Sequence, residues 1–486
     1  MASPLTVVSV SAEVSPWSKV GGLADVAAAL PGALAARGHH VIGVAPRYKE
    51  YDHAWDTQRT ARFGLFGQML EVRYFHARIG DVDRIFVDHP ILLRGGIYGD
   101  QHGSYADNLL RFALLSRAAM EAPFSVGLQM PPDGADTVYL AHDWHAALVP
   151  LYLSARYRAH GSRTRARSIL AIHNLAHQGV YGRGEFAGLD LESRWWTSLE
   201  MDGNLNLLKG GIMAADRVST VSPRYAWEIR TAEGGFGLDA VLRLRGPVVQ
   251  GVLNGLDTDE WNPATDPHLP ARYDVADLSG KAVCKAALQK ELGLPVDPGA
   301  PLVGFVGRLD WQKGVDLLIE AIPWLRAQGA QVVVLGSGSP ELEDALRAVG
   351  GPTVRPWIGF SSPLSHRVTA GCDVLVVPSR FEPCGLTQLQ AMRYGTVPVV
   401  AATGGLVDTV NVYDPLSQDG TGWHFQPGQT HDLVLALGNA LHTWRHWPDS
   451  FRGVVRRGMA RDWSWERPAA EYEAMMRVAL ATPAWG

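Results

Sequence analysis

Residues 6–45 read TVVSVSAEVSPWSKVGGLADVAAALPGALAARGHHVIGVA. The β-branched apolar run Thr6–Val10 has the pattern of a buried strand. Residues 23–37 have helical spacing and a high alanine content, with Gly38 placed to cap them; Pro31 inside the run predicts a kink. Residues 40–45 form a second strand. Strand, helix and strand in this order make a βαβ unit, the opening of a doubly wound α/β domain. At the first turn of this unit stands KVGGLADV, residues 19–26. Glycines between a strand and a helix let backbone N–H groups approach an anion. The helix end adds roughly half a positive charge, and Lys19 adds a full one. The same residues also fit a tight turn with a solvated lysine, and the stretch is neither a GxGxxG nor a Walker loop.

The rhythm continues. Further strands are expected at 85–87, 137–140, 168–172 and 217–221, with helices over 106–121 and 146–158. Residues 257–274, DTDEWNPATDPHLPARYD, are rich in Pro and Asp and weak in periodicity, and read as an inter-domain connection. A second α/β series then starts: strand 301–306, loop 307–314, helix 315–327, strand 331–335, and apolar strands at 373–377 and 397–400. The expected division is 1–257, 258–460 and a helical segment 461–486 crossing back to the first domain. A short echo of KVGGLADV, ATGGLVDTV at 402–410, lacks the lysine.

The bulk numbers agree. A chain of 486 residues is too long for one core, and 47% hydrophobic with 19% charged residues is ordinary for a soluble globular protein. No apolar run is long enough to cross a bilayer, and the N-terminus reads as a first strand rather than a signal peptide. A net charge of −5 with scattered Lys and Arg points away from nucleic acid, so any anion site is local. Three widely spaced cysteines, Cys284, Cys372 and Cys384, form neither a disulfide framework nor a metal motif and fit a reducing cytoplasm. Sixteen tryptophans supply faces that stack on sugars, although core and interface positions account for most such residues.

Four more stretches carry polar groups at expected strand ends, where open α/β sheets bind ligands. GRLDWQKG (307–314) places Arg308 and Lys313 where they could hold a diphosphate. In PSRFEPCGLTQLQAM (378–392), Glu382 precedes a helix start at Gly385, Leu386 and Thr387. A carboxylate there can bind sugar hydroxyls, and the N–H groups can bind phosphate. Cys384 beside it reads as a small space-filling residue. HDWH (142–145) offers two histidines three apart, thin evidence for a metal, and Asp143 is read as a hydrogen-bonding carboxylate. IHNLAHQG (172–179) ends a strand with His173 and Asn174. Two such domains facing each other would make a cleft that closes on a charged ligand.

Taken together, KVGGLADV, HDWHAAL, IHNLAHQG, GVLNGLD, GRLDWQKG, and PSRFEPCGLTQLQAMRYG followed by TGGL resemble the bacterial glycogen synthases. These belong to the starch and glycogen synthase family of retaining glucosyltransferases. The resemblance spans nearly the whole chain, with the motifs in the family's order. It implies a GT-B fold, two facing Rossmann-like α/β domains with the active-site cleft between them. It also implies transfer of glucose from ADP-glucose to the non-reducing 4-hydroxyl of an α-1,4-glucan such as glycogen, without a cofactor or an obligatory metal. Lys19 and Gly22 would face the distal phosphate and the glucose. Arg308 and Lys313 would neutralise the leaving diphosphate, with Cys384, Gly385, Leu386 and Thr387 in the loop that offers it N–H groups. Glu382 would orient the glucose. Asp143 and His173 would sit beside the transferred sugar, His173 largely through its carbonyl. Glu13, Asp25, Asn174 and Asn254 would line the polar wall, and Phe360 would stack on adenine. The wider superfamily often has a second glutamate where this chain has Gln390, so Glu382 stands alone. The competing readings are a related transferase using UDP-glucose or another acceptor, a nicotinamide-dependent oxidoreductase, and a catalytically silent glucan-binding protein. The missing GxGxxG signature argues against the oxidoreductase.

Overall fold

The computed structural model describes residues 3–485. Two compact units divide the chain, residues 1–255 with 465–486, and residues 256–464.

The first unit is built on a nine-stranded sheet. Its order is Val249–Gly251, Arg217–Thr220, Arg167–Ile172, Thr137–His142, Thr6–Val10, His40–Pro46, Val82–Asp88, Gln68–Ile79 and Trp55–Leu65. The first seven strands are parallel, and Val8 lies opposite both Ile42 and Tyr139. The last two form an antiparallel hairpin on the edge. Sequence reading missed this hairpin because its strands are half exposed and polar, as in TQRTAR. Only alternate residues such as Leu70, Val72 and Tyr74 are buried.

The first helix runs Gly22–Ala36 and contains Pro31. Proline lacks the N–H that would bond the carbonyl of Ala27. The guanidinium of buried Arg84 replaces it, donating to Ala27 O at 2.7 Å and Ala28 O at 2.8 Å. The helix that carries the KVGG turn is therefore tied to the sheet at its weakest point. Its inner face (Val26, Leu30, Leu34) packs with Leu140 and Ile169, and with Ala469, Tyr472, Met475 and Met476 around the C-terminal helix Glu466–Ala481. Burying each large apolar side chain of this set is worth about 1.5–3 kcal/mol.

The helix expected over 146–158 is broken. Short turns Asp143–Ala146 and Leu148–Tyr152 lead into a widened turn Leu153–Tyr157 and a tight one, Arg158–His160. Pro150 removes a donor early in this run.

The second unit has a six-stranded, wholly parallel sheet: Val354–Ile358, Gln331–Gly336, Leu302–Val306, Val374–Val377, Val397–Ala401 and Trp423–Phe425. Sequence reading found the four central strands and missed both edges, one half-buried and one only three residues long. Residues 461–464 belong to this unit, since the Leu256 amide donates to Trp463 O at 2.6 Å and Trp463 packs against the cluster of Leu389, Met392 and Leu406.

In each unit the chain starts mid-sheet, adds strands to one side, then returns to add strands on the other. The order reverses between Thr6–Val10 and Thr137–His142 in the first unit, and between Leu302–Val306 and Val374–Val377 in the second. Loops leaving such neighbouring strands at their carboxyl ends diverge and open a crevice. Among the described residues, no helix is long and apolar enough to cross a membrane.

Candidate active site

In the first unit, the loop after Val10 is organised by Glu13. Its buried carboxylate accepts the N–H groups of Val20 (2.5 Å) and Gly21 (3.1 Å) and the hydroxyl of Tyr98. Burial pushes the Glu13 carboxyl up, against these hydrogen bonds. Two amides of the KVGG turn are thus committed to the protein itself, and Gly22 begins the helix exposed. Lys19 pairs with Asp25 across the first helical turn, Nζ to Oδ1 at 2.6 Å. Both side chains are partly exposed, so water screens the pair, which is weak and can be exchanged for a ligand's charge.

Across the reversal point, Asp143 follows the strand Thr137–His142. It sits in the left-handed region at φ 55°, a strained conformation that surrounding bonds must hold. Its Oδ1 accepts the amides of His173 (2.7 Å) and Asn174 (3.3 Å), which clips the ends of adjacent strands together. Burial pushes the Asp143 carboxyl up to about 7, with these amides opposing the shift. Beneath it runs a buried chain, Ser9 Oγ to His142 Nε2 at 3.0 Å and His142 Nδ1 to His173 Nε2 at 2.9 Å. Desolvation lowers both imidazoles, His173 to about 4, so the two rings are neutral and share one hydrogen bond. The His173 side chain is therefore occupied inside the protein. His145 does not join His142; its ring stacks on Tyr98 at 4.7 Å. Asn254 follows the strand Val249–Gly251, buried, and its Oδ1 has no hydrogen-bond partner among the described residues.

In the second unit, Lys313 Nζ meets Glu382 Oε2 at 2.6 Å. The Ser379 hydroxyl donates to the same oxygen at 2.9 Å. Lys313 N–H in turn donates to Asp310 Oδ1 (2.9 Å), and Asp310 pairs with Arg308 at 3.0 Å. Gly314, at φ 64°, lets this loop press on the next one; a β-carbon there would lie 2.1 Å from Pro378 O. The TGGL echo has a similar task. Gly404 adopts φ 45°, a β-carbon on it would lie 2.0 Å from Glu382 O, and the Gly405 amide donates to that carbonyl at 3.0 Å. TGGL is thus the backing of the Glu382 loop.

Buried Gln388 donates to the carbonyls of Cys384 (3.0 Å) and Gly385 (2.9 Å), fixing the turn into the short helix Thr387–Arg393. No side chain caps that helix at Leu386. Cys384 is buried, as a space-filling residue should be. Phe360, just beyond the strand Val354–Ile358, is 84% exposed, a bare aromatic face at a strand end.

The structure therefore brings together Glu13 with the KVGG turn, Lys19 with Asp25, Asp143 with His173 and Asn174, and Arg308, Lys313 and Glu382 through Asp310. Asn254 and Phe360 stand apart from these groups. Sequence reasoning missed Tyr98, Ser379, Asp310 and Gln388 as positioning residues. Ser379, Asp310 and Gln388 lay inside quoted motifs. Nothing near Tyr98 signals its part.

Two doubly wound units, each presenting charged loops where its strand order reverses, have the architecture of the GT-B fold. Residues 6–244 match the starch synthase catalytic domain family, and residues 290–447 match the glycosyl transferases group 1 family. Soluble starch synthase 1 of Solanum tuberosum is 47% identical, over 98% of this chain and 79% of the relative. Starch synthase 1 of Arabidopsis thaliana is 46% identical, over 98% and 78%. Among solved structures, the catalytic domain of starch synthase IV from Arabidopsis thaliana, bound to ADP and acarbose, superposes with a TM-score of 0.90. It is 34% identical and covers 99% of this chain and all of that one. A sucrose-phosphate synthase from Thermosynechococcus elongatus, 18% identical with a TM-score of 0.63 over 98% and 99% of the two chains, shares the fold. The chain belongs to the starch synthase family and is a retaining glucosyltransferase.

Proposed function

We propose that this enzyme transfers glucose from ADP-glucose to the non-reducing 4-hydroxyl of an α-1,4-glucan, such as glycogen, and releases ADP. The observation that carries the reading is the Lys313–Glu382 pair at the reversal point of the second unit, with a buried carboxylate held through one oxygen by Lys313 and Ser379. Such a group is oriented before any sugar arrives. The ADP and acarbose of the starch synthase IV structure support a nucleotide donor and a glucan-like acceptor.

In this reading Arg308 and Lys313 neutralise the diphosphate, and the uncapped helix start at Leu386 and Thr387 offers it N–H groups. Lys19 exchanges Asp25 for the distal phosphate beside Gly22. Glu382 orients glucose hydroxyls. Asp143 holds the His173 and Asn174 backbone, so that the His173 carbonyl faces the sugar, and Phe360 stacks on the base. The bond from the anomeric carbon to ADP breaks as the bond to the acceptor oxygen forms on the same face. The acceptor proton passes to the leaving phosphate oxygen. No protein nucleophile is needed, and fixed charges stabilise the separating ion pair. Lys19, Arg308 and Lys313 supply the cationic charge that a metal would otherwise give. Three widely spaced, buried cysteines support a reducing, cytoplasmic setting.

The test is transfer of labelled glucose to glycogen from ADP-glucose and from UDP-glucose in parallel, with EDTA present. Transfer from ADP-glucose is expected. Transfer from UDP-glucose alone would overturn the assigned base, loss in EDTA would overturn the metal-free scheme, and no transfer from either would overturn the reading.

A further inference from the structure

Ser9 lies in the strand Thr6–Val10, His142 ends the strand Thr137–His142, and His173 follows the strand Arg167–Ile172. These three strands are neighbours, so the side chains form a row across the sheet at the reversal point. Ser9 Oγ meets His142 Nε2 at 3.0 Å, and His142 Nδ1 meets His173 Nε2 at 2.9 Å. Ser9 and His142 are buried and reach no ligand themselves. His173 is only half-buried, and its other ring nitrogen, Nδ1, has no hydrogen-bond partner among the described residues. The row therefore ends in one uncommitted nitrogen.

A neutral imidazole has one N–H donor and one bare acceptor, and a single proton fits between the two rings. The protons can thus run along the row in two senses. In the first, the Ser9 hydroxyl donates to His142 Nε2, His142 Nδ1–H donates to His173 Nε2, and His173 carries its own proton on Nδ1. In the second, His173 Nε2–H donates to His142 Nδ1, His142 Nε2–H donates to Ser9 Oγ, and His173 Nδ1 is a bare acceptor. One buried group separates the two. Ser9 Oγ has no partner but His142 among the described residues. In the second sense the Ser9 hydroxyl proton stays in the core without an acceptor, a cost that the first sense avoids. A protonated His142 would give the first outcome too, because both of its nitrogens would donate.

We propose that Ser9 and His142 are positioning residues that fix the tautomer of His173, so that its ring presents an Nδ1–H donor at the reversal point and cannot act there as a base. That the oxygen it meets belongs to the transferred glucose rests on the proposed function. A donor of fixed sense accepts a lone pair from that oxygen and takes no proton from the acceptor hydroxyl, which leaves the acceptor proton to the leaving phosphate. Because the direction is set two residues away, in the core, it is in place before a ligand arrives.

The test is nitrogen NMR of the full-length enzyme with isotope-labelled histidine, at neutral pH and without substrate, where couplings to the ring protons show which nitrogen carries the N–H. The His173 signals are those lost in His173→Asn. The proton is expected on Nδ1 in the unaltered protein. Ser9→Ala removes the donor that sets the direction, and His142→Leu removes the relay. Each should shift His173 toward the Nε2–H form and lower kcat/KM for ADP-glucose about tenfold, the effect of one hydrogen bond. Ser9→Thr keeps the hydroxyl, His142→Asn keeps an N–H in the place of Nδ1, and both should restore the Nδ1–H form and most of the activity. Tm values check that the variants are folded. A His173 proton on Nε2 in the unaltered protein would overturn the inference without any variant, and so would a tautomer unchanged in folded Ser9→Ala and His142→Leu. The expected tautomers without any glucose transfer would instead refute the proposed function and leave the relay standing.

Discussion

Each unit puts a lysine at its reversal point, and the two lysines are held in opposite ways. Lys313 is 24% exposed and bound to a carboxylate that is 7% exposed; Lys19 is 43% exposed and its partner Asp25 35%. The first arrangement is fixed. Glu382 is fastened by Lys313, Ser379 and the Gly404–Gly405 backing, and moving any part leaves a charge out of water. The second costs little to break, because water can replace either partner. The second unit therefore carries pre-arranged electrostatics, and the first carries a charge that can be handed to a ligand. Only fixed dipoles and charges stabilise a transition state without reorganising first.

Breaking the fixed pair should have the largest effect. Lys313→Ala should lower kcat by about 10²–10³ and destabilise the fold by roughly 3–5 kcal/mol, because Glu382 stays buried without its cation. Adding Glu382→Ala should recover part of the stability and none of the activity, a coupling readable in a double-mutant cycle. Arg308→Ala should cost similar activity with no change in Tm, since Arg308 is half exposed. Equal loss of stability in both single variants would show that the Lys313–Glu382 pair is no more fixed than the half-exposed Arg308.

Asp143 sharpens the comparison within the first unit. Its carboxyl rises from 3.8 to about 7 in the fold, so the folded state holds the proton more tightly. The stability this gives is complete below about pH 4 and is lost as pH rises toward 7. His173, lowered from 6.5 to about 4, acts with the opposite sign over pH 4 to 6.5, and the two offset each other in the wild-type profile. Asp143→Asn, whose amide oxygen can still accept the His173 N–H, should therefore gain stability relative to wild type as pH rises from 4 to 7. Denaturant titrations at several pH values measure this, and a difference independent of pH would contradict the raised carboxyl.

The smallest effect is expected at Lys19. Lys19→Ala should change stability by less than about 0.5 kcal/mol, and should lower kcat/KM for the donor by less than Lys313→Ala does. A large fall in Tm would show that the Lys19–Asp25 pair is structural.

Much of the fold was legible because parallel strands covered on both faces must be apolar along their whole length. TVVSV, SILAI, LVGFV and VLVV announce themselves this way. The hairpin Trp55–Leu65 and Gln68–Ile79 did not, since an edge with one wet face needs only alternate apolar residues, and the short strand Trp423–Phe425 offers too few residues to show any period. At the site, the charged residue types and their positions after strands were readable, and their partners were not. Glu13 was expected on a polar wall, yet it occupies two amides of the very turn thought to cradle phosphate.

By itself, then, the sequence determined two doubly wound α/β series and the charged motifs at their strand ends, because apolar runs and turn residues act locally. Only the tertiary structure decided which charges are buried, which are paired and which are free. Lys313 and Glu382 are 69 residues apart, and Asp143 and His173 are 30 apart. Desolvation depends on everything packed around a group, and nothing in a motif contains that information.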